Sequence, residues 1–92
     1  MTVSPSLTVR YFAAAAAAAG TETEQLPVAG PVSREALFAV LAARHPTPPP
    51  GEPSLPSVLQ RSSFLVAGRR LHQDQTVSPG ETVDILPPFS GG

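Results

Sequence analysis

The chain predicts an α+β domain, a mixed sheet of about five strands with one main helix packed across it. Three observations point there. Apolar residues alternate with period two near both ends, at residues 7–12 and 82–86. A single strong helix signal starts at Ser33 and is stopped by Pro46. Finally, 92 residues suffice for one domain, taken as 1–92, and not for two.

Residues 7–12 set Leu7, Val9 and Tyr11 on one face and read as the first strand. The seven alanines Ala13 to Ala19 follow, with Gly20 where a helix stops, because alanine is the best helix former and glycine tolerates a left-handed cap. Residues 21–28, with Pro27 near their end, suit an exposed edge strand. The main helix opens with Ser33 as cap, Glu35 at the positive end of the dipole and Val32 able to staple onto Leu37. Ala36, Leu37, Val40 and Leu41 form its expected apolar stripe. Residues 63–67, a turn around Gly68 and then Arg70 and Leu71 read as a hairpin. Ser78-Pro79-Gly80-Glu81 has the type II turn residues and delivers the last strand, with Val83 and Ile85 facing inward. Strand, short helix, strand, core helix and three strands make a β-grasp arrangement.

Twelve prolines could suggest disorder, but six of them fall between Pro46 and Pro56, so the excess marks one surface loop at 46–56. A Pro-rich ligand for a partner's groove is the alternative reading of that loop. Six arginines against seven acids leave a net charge of -1, without the basic footprint of a nucleic-acid or membrane binder. The absence of cysteine excludes disulfides and thiolate chemistry and fits the cytoplasm. Residues 7–19 lack the positive start of a signal peptide, and Arg10 interrupts them. Two histidines, His45 and His72, do not make a metal site. Ser63, His72 and Asp74 lack the turn that activates a catalytic serine. With no phosphate-cradling glycine pattern either, no bound cofactor is expected, and any chemistry belongs to a partner's active site.

The informative segment is 87–92. By chance roughly one chain in two hundred would end on two glycines. Here they follow a strand and two prolines that hold the chain extended, so Gly91 and Gly92 can enter a channel too narrow for a side chain. Leu86-Pro87-Pro88-Phe89-Ser90-Gly91-Gly92 resembles the terminal motif of the small, sulfur-carrying subunits of molybdopterin synthases. Residues 78–83 resemble that family's turn and last strand, and residues 7–20 its amino end. The chain departs from the family in its Pro-rich insertion, its all-alanine first helix and Ala67-Gly68, where asparagine is common.

The resemblance implies a ubiquitin-like sulfur carrier. An E1-like adenylyltransferase/sulfurtransferase would use ATP to activate the Gly92 carboxylate, and sulfur would replace AMP to give a thiocarboxylate. The molybdopterin synthase large subunit, in a heterotetramer, would then receive the tail and pass sulfur to cyclic pyranopterin monophosphate, forming the dithiolene. Gly92 would be the covalent residue and Gly91 its slim neighbour. Pro87, Pro88, Phe89 and Ser90 would lie in the partner's groove, and Phe12, Leu86 and Leu71 would be exposed docking positions, with ordinary sheet packing as the alternative for those three. Two other functions stand beside this one: a carrier for thiamine or cysteine biosynthesis or a ubiquitin-like modifier, and a β-grasp interaction module with an inert tail. The chain has no lysine, so self-linked chains through internal lysines are impossible.

Overall fold

In the computed structural model, which describes residues 5–88, Leu7, Val9 and Tyr11 form the buried face of strand β1 (Ser6–Tyr11). The alanine run folds as helix α1 (Ala14–Ala19) and ends at Gly20 with φ 76°, whose N–H donates to the Ala16 carbonyl. A Cβ at Gly20 would stand 3.3 Å from Pro49 Cγ. Both the left-handed backbone and the approach of the Pro-rich loop therefore favour glycine there. Strand β2 (Thr23–Pro27) pairs antiparallel with β1 and buries only Leu26, as an edge strand does.

Strand β3 (Val32–Ser33) leads into helix α2 (Arg34–Arg44). Ser33 Oγ accepts from the Ala36 N–H at 3.0 Å, and the helix stops at His45, before Pro46. Its buried residues are Leu37 and Leu41, with Phe38 packed beside them, while Val40 is 43% exposed. The stripe is thus centred on Leu37, Phe38 and Leu41, and the expected places of Ala36 and Val40 are corrected. At 100° per residue those two flank the stripe on one side and turn to solvent.

The Pro-rich loop ends earlier than 46–56. Leu55 and Pro56 already belong to helix α3 (Leu55–Leu59), capped by the Ser54 side chain and with Pro56 in its first turn. This short helix buries Leu55, Val58 and Leu59, so it is part of the core. Strands β4 (Ser63–Val66) and β5 (Arg69–Arg70) form the expected hairpin, and β6 (Thr76–Val77) makes a small ladder with β3. The type II turn is present, with Gly80 at φ 92° and the Glu81 N–H on the Ser78 carbonyl. It delivers β7 (Thr82–Leu86).

The five-stranded sheet runs β2-β1-β7-β4-β5, with β1 and β7 parallel and the remaining pairs antiparallel. This is the expected mixed β-grasp sheet with α2 as its main helix. Leu7, Val9, Tyr11, Leu26, Phe64, Val83 and Ile85 join Leu37, Leu41 and α3 in one core. Burying a side chain as large as Phe64 contributes about 2–3 kcal/mol. Among the described residues no helix is long and apolar enough to cross a membrane.

Candidate functional site

Strand β7 occupies the middle of the sheet, hydrogen-bonded to β1 on one side and β4 on the other. Its register sets Arg10 beside Asp84 and Tyr11 beside Ile85, and the Phe12 N–H donates to the Ile85 carbonyl at 3.2 Å. Pro87 and Pro88 then leave the sheet against Ala14 of α1 and Val58 and Arg61 at α3, lining a small cleft of about 150 Å³. The root of the tail therefore faces a cleft bordered by α1 and α3. Phe89, Ser90, Gly91 and Gly92 lie outside the described residues.

The sheet face turned away from α2 carries Arg10, Asp84, Leu65 and Leu86, with Phe12 at the end of β1. Arg10 grips Asp84 through two bonds, Nε–Oδ1 at 2.7 Å and Nη2–Oδ2 at 2.8 Å, and its Cζ stands 5.6 Å from the Phe12 ring centroid. Hydrogen bonding to Asp84, and then the charge of Asp84, raise the Arg10 pKa above its ordinary value. Phe12 is 37% exposed and Leu86 is half-buried. Leu65 shares their face, since it opposes Asp84 while Phe64 opposes Ile85. Neither Leu65 nor the cleft shared by the prolines and α3 was anticipated. The available signal for Leu65 was an apolar residue at an outward position of β4.

Leu71 does not join this face. The hairpin pairs Leu65 with Arg70, so Arg70 points outward and the next residue turns inward. Leu71 is 5% exposed, lies in the core and donates its N–H to the Phe64 carbonyl at 2.7 Å. The expectation of an exposed docking position at Leu71 is corrected accordingly.

At the other side of β1, Glu24 binds Arg44 Nε at 3.1 Å and His45 Nε2 at 2.7 Å, tying β2 to the end of α2. Tyr11 lies beside this cluster, its ring 6.0 Å from that of His45 and nearly perpendicular to it. Among the described residues the buried Tyr11 hydroxyl has no hydrogen-bond partner, and Glu24 beside it binds its two cations. Burial first, and the negative charge of Glu24 second, push the phenol pKa above its ordinary value of 10.0. Among the described residues no three His, Cys, Asp or Glu side chains gather as a metal site.

The ThiS family signature matches residues 9–92, from β1 through the two glycines. The chain belongs to the ThiS family. The fold of this ThiS-family chain is similar to that of a Pyrococcus furiosus protein described as molybdopterin converting factor, subunit 1. The TM-score is 0.71 at 19% identity, covering 94% of this chain and 100% of that one. SAMP1 from Haloferax volcanii is similar with a TM-score of 0.71 and 24% identity over 95% and 99% of the two chains. A structure of H. volcanii small archaeal modifier protein 1 gives 0.69 and 20% identity over 92% and 99%. No curated protein matches the sequence. The β-grasp fold of ubiquitin-like sulfur carriers and modifiers is thus the fold of this chain.

Proposed function

We propose that this ThiS-family chain is the sulfur-carrying small subunit of a molybdopterin synthase, working in the cytoplasm. The observation that carries the reading is the family match through residue 92, joined to a pair of prolines at the exit of the central strand. Proline fixes φ and lacks an N–H, so Pro87 and Pro88 cannot donate to a continued β7 ladder. In this reading the Gly92 carboxylate attacks the α-phosphate of ATP on an E1-like partner, releasing pyrophosphate. A sulfur nucleophile displaces AMP from the acyl adenylate, and the resulting thiocarboxylate passes its sulfur to the pterin precursor in the large subunit. Once the sulfur is bonded to the precursor, water cleaves the acyl–sulfur bond and the carrier returns as a carboxylate. Gly91 keeps the approach narrow, Pro87 to Ser90 line the partner's groove, and Phe12 and Leu86 dock its surface. The domain itself binds no cofactor in this scheme.

The ThiS match and the modifier-like fold favour a second reading, a carrier for thiamine or cysteine biosynthesis or a protein modifier. Without lysine in the chain, an isopeptide bond would need an acceptor side chain on another protein. Intact-mass measurement after incubation with an activating enzyme, ATP and a sulfur donor decides whether the chain carries sulfur. Oxygen-to-sulfur exchange localised to Gly92, and lost on its deletion, is expected. Absence of exchange with a competent enzyme sinks every carrier reading. Conversion of the pterin precursor on adding the large subunit then selects the molybdopterin role.

A further inference from the structure

Four arginines, Arg34, Arg61, Arg69 and Arg70, have no ion-pair partner among the described residues, whereas Arg10 and Arg44 are each paired with an acid. Three of the four converge. Arg34 at the start of α2, Arg61 after α3 and Arg70 of β5 line one cleft of about 410 Å³ together with Gln60, Ser62, Ser63, His72 and Gln73. It sits beside β4 where the short β5 has ended, above the buried Phe64 and Leu71. Arg61 also borders the smaller cleft lined by Pro87 and Pro88, so the two clefts share that side chain as a wall.

Two of the three cations are tethered. Arg34 Cζ stacks 4.4 Å from the Phe64 ring centroid, and its Nη2 donates to the Ser62 carbonyl at 3.4 Å. Arg70 Nη2 donates to Ser63 Oγ at 3.3 Å. One guanidinium is thus tethered to the main chain of Ser62 and the other to the side chain of Ser63. Arg61 immediately precedes these two serines. Among the described residues no acid lines the cleft to offset its three cations; the neighbours in sequence, Glu35 and Asp74, are not among its walls. Both tethers occupy only part of each fork, leaving N–H donors for a ligand.

We propose that this cleft is a binding site for a small phosphate-bearing ligand, held bidentately by Arg34, Arg61 and Arg70. Guanidinium forks match phosphate oxygens, and a multiply charged anion answers three cations where a single carboxylate answers one. The hydroxyls and side-chain amides around the rim suit the remaining oxygens, and the volume falls in the range of small-molecule sites. The proposal rests on the three arginines and stands whether or not the chain carries sulfur.

Titration of the ¹⁵N-labelled chain with inorganic pyrophosphate at constant ionic strength tests this, with acetate and a poly-glutamate peptide as parallel arms. Saturable shifts of the Ser62, Ser63 and Arg70 amides are expected with pyrophosphate. Binding should weaken at least tenfold in the double variant Arg61→Gln, Arg70→Gln. Both side chains are exposed, so the variant should keep the fold, which its own spectrum verifies. Shifts that do not saturate, or that persist unchanged in the double variant, overturn the proposal. Saturation of the same amides by acetate or poly-glutamate at lower concentration also overturns it and reassigns the cleft to carboxylates of a protein partner.

Discussion

Tyr11 carries a hydroxyl buried without a partner at the centre of an otherwise satisfied cluster. A buried donor left unmade costs about 1–3 kcal/mol, so Tyr11→Phe should leave the chain as stable or raise its stability by up to about 1 kcal/mol at neutral pH. A raised folded-state pKa means that the unfolded phenol releases its proton first. Stability is then fully present below the ordinary value of 10.0 and falls as the pH climbs past it. Urea unfolding at pH 7 and at a pH above 10.0 should show that loss in the parent and a smaller one in the phenylalanine variant. A parent curve indifferent to pH would contradict the burial of the hydroxyl beside Glu24. The unpaired state itself was not legible in the sequence, because Glu24 and its two cations, Arg44 and His45, distant in the chain, come beside Tyr11 only after folding.

Among the elements, the β4–β5 hairpin turns through Ala67 and Gly68, both at positive φ, 51° and 77°. Glycine accepts that conformation readily, whereas alanine is strained by about 1–2 kcal/mol. Ala67→Asn should therefore stabilise the chain by about 0.5–1 kcal/mol, read as a higher urea midpoint at unchanged slope. The hairpin, the type II turn before β7 and the Ser33 cap were all legible, since each rests on local chemistry at fixed offsets. Helix α3 was not, because five residues with a proline in the first turn offer too short a window for helical periodicity. The β3–β6 ladder was equally hidden, joining two-residue strands far apart in sequence. Leu71 was misplaced because its facing depends on hairpin register, where a shift of one residue reverses the side. The arginine cleft was invisible for a related reason: α2, α3 and β5 bring its cations together only after folding.

At the scale of the molecule, one sheet face is committed to the core, and the other offers Phe12, Leu65 and Leu86 beside the Arg10–Asp84 pair. Apolar side chains left on an open sheet suit a partner's surface better than water. If that face docks the large subunit, Phe12→Ser with Leu65→Ser should weaken association at least tenfold, about 1.4 kcal/mol, and shift the Tm by only a few degrees. Calorimetry of binding and of unfolding on the same variant checks both halves. Unchanged affinity would remove the face from the docking scheme.

The central position of β7 also has a mechanical side. Any machine that grips the chain beyond Pro88 and draws on it loads a strand flanked on both sides, parallel to β1 and antiparallel to β4. Tension along the strand is borne in shear by two ladders at once, so many backbone hydrogen bonds must yield together. A peripheral strand would unzip bond by bond. The domain can be tugged by its end and released with its sheet intact.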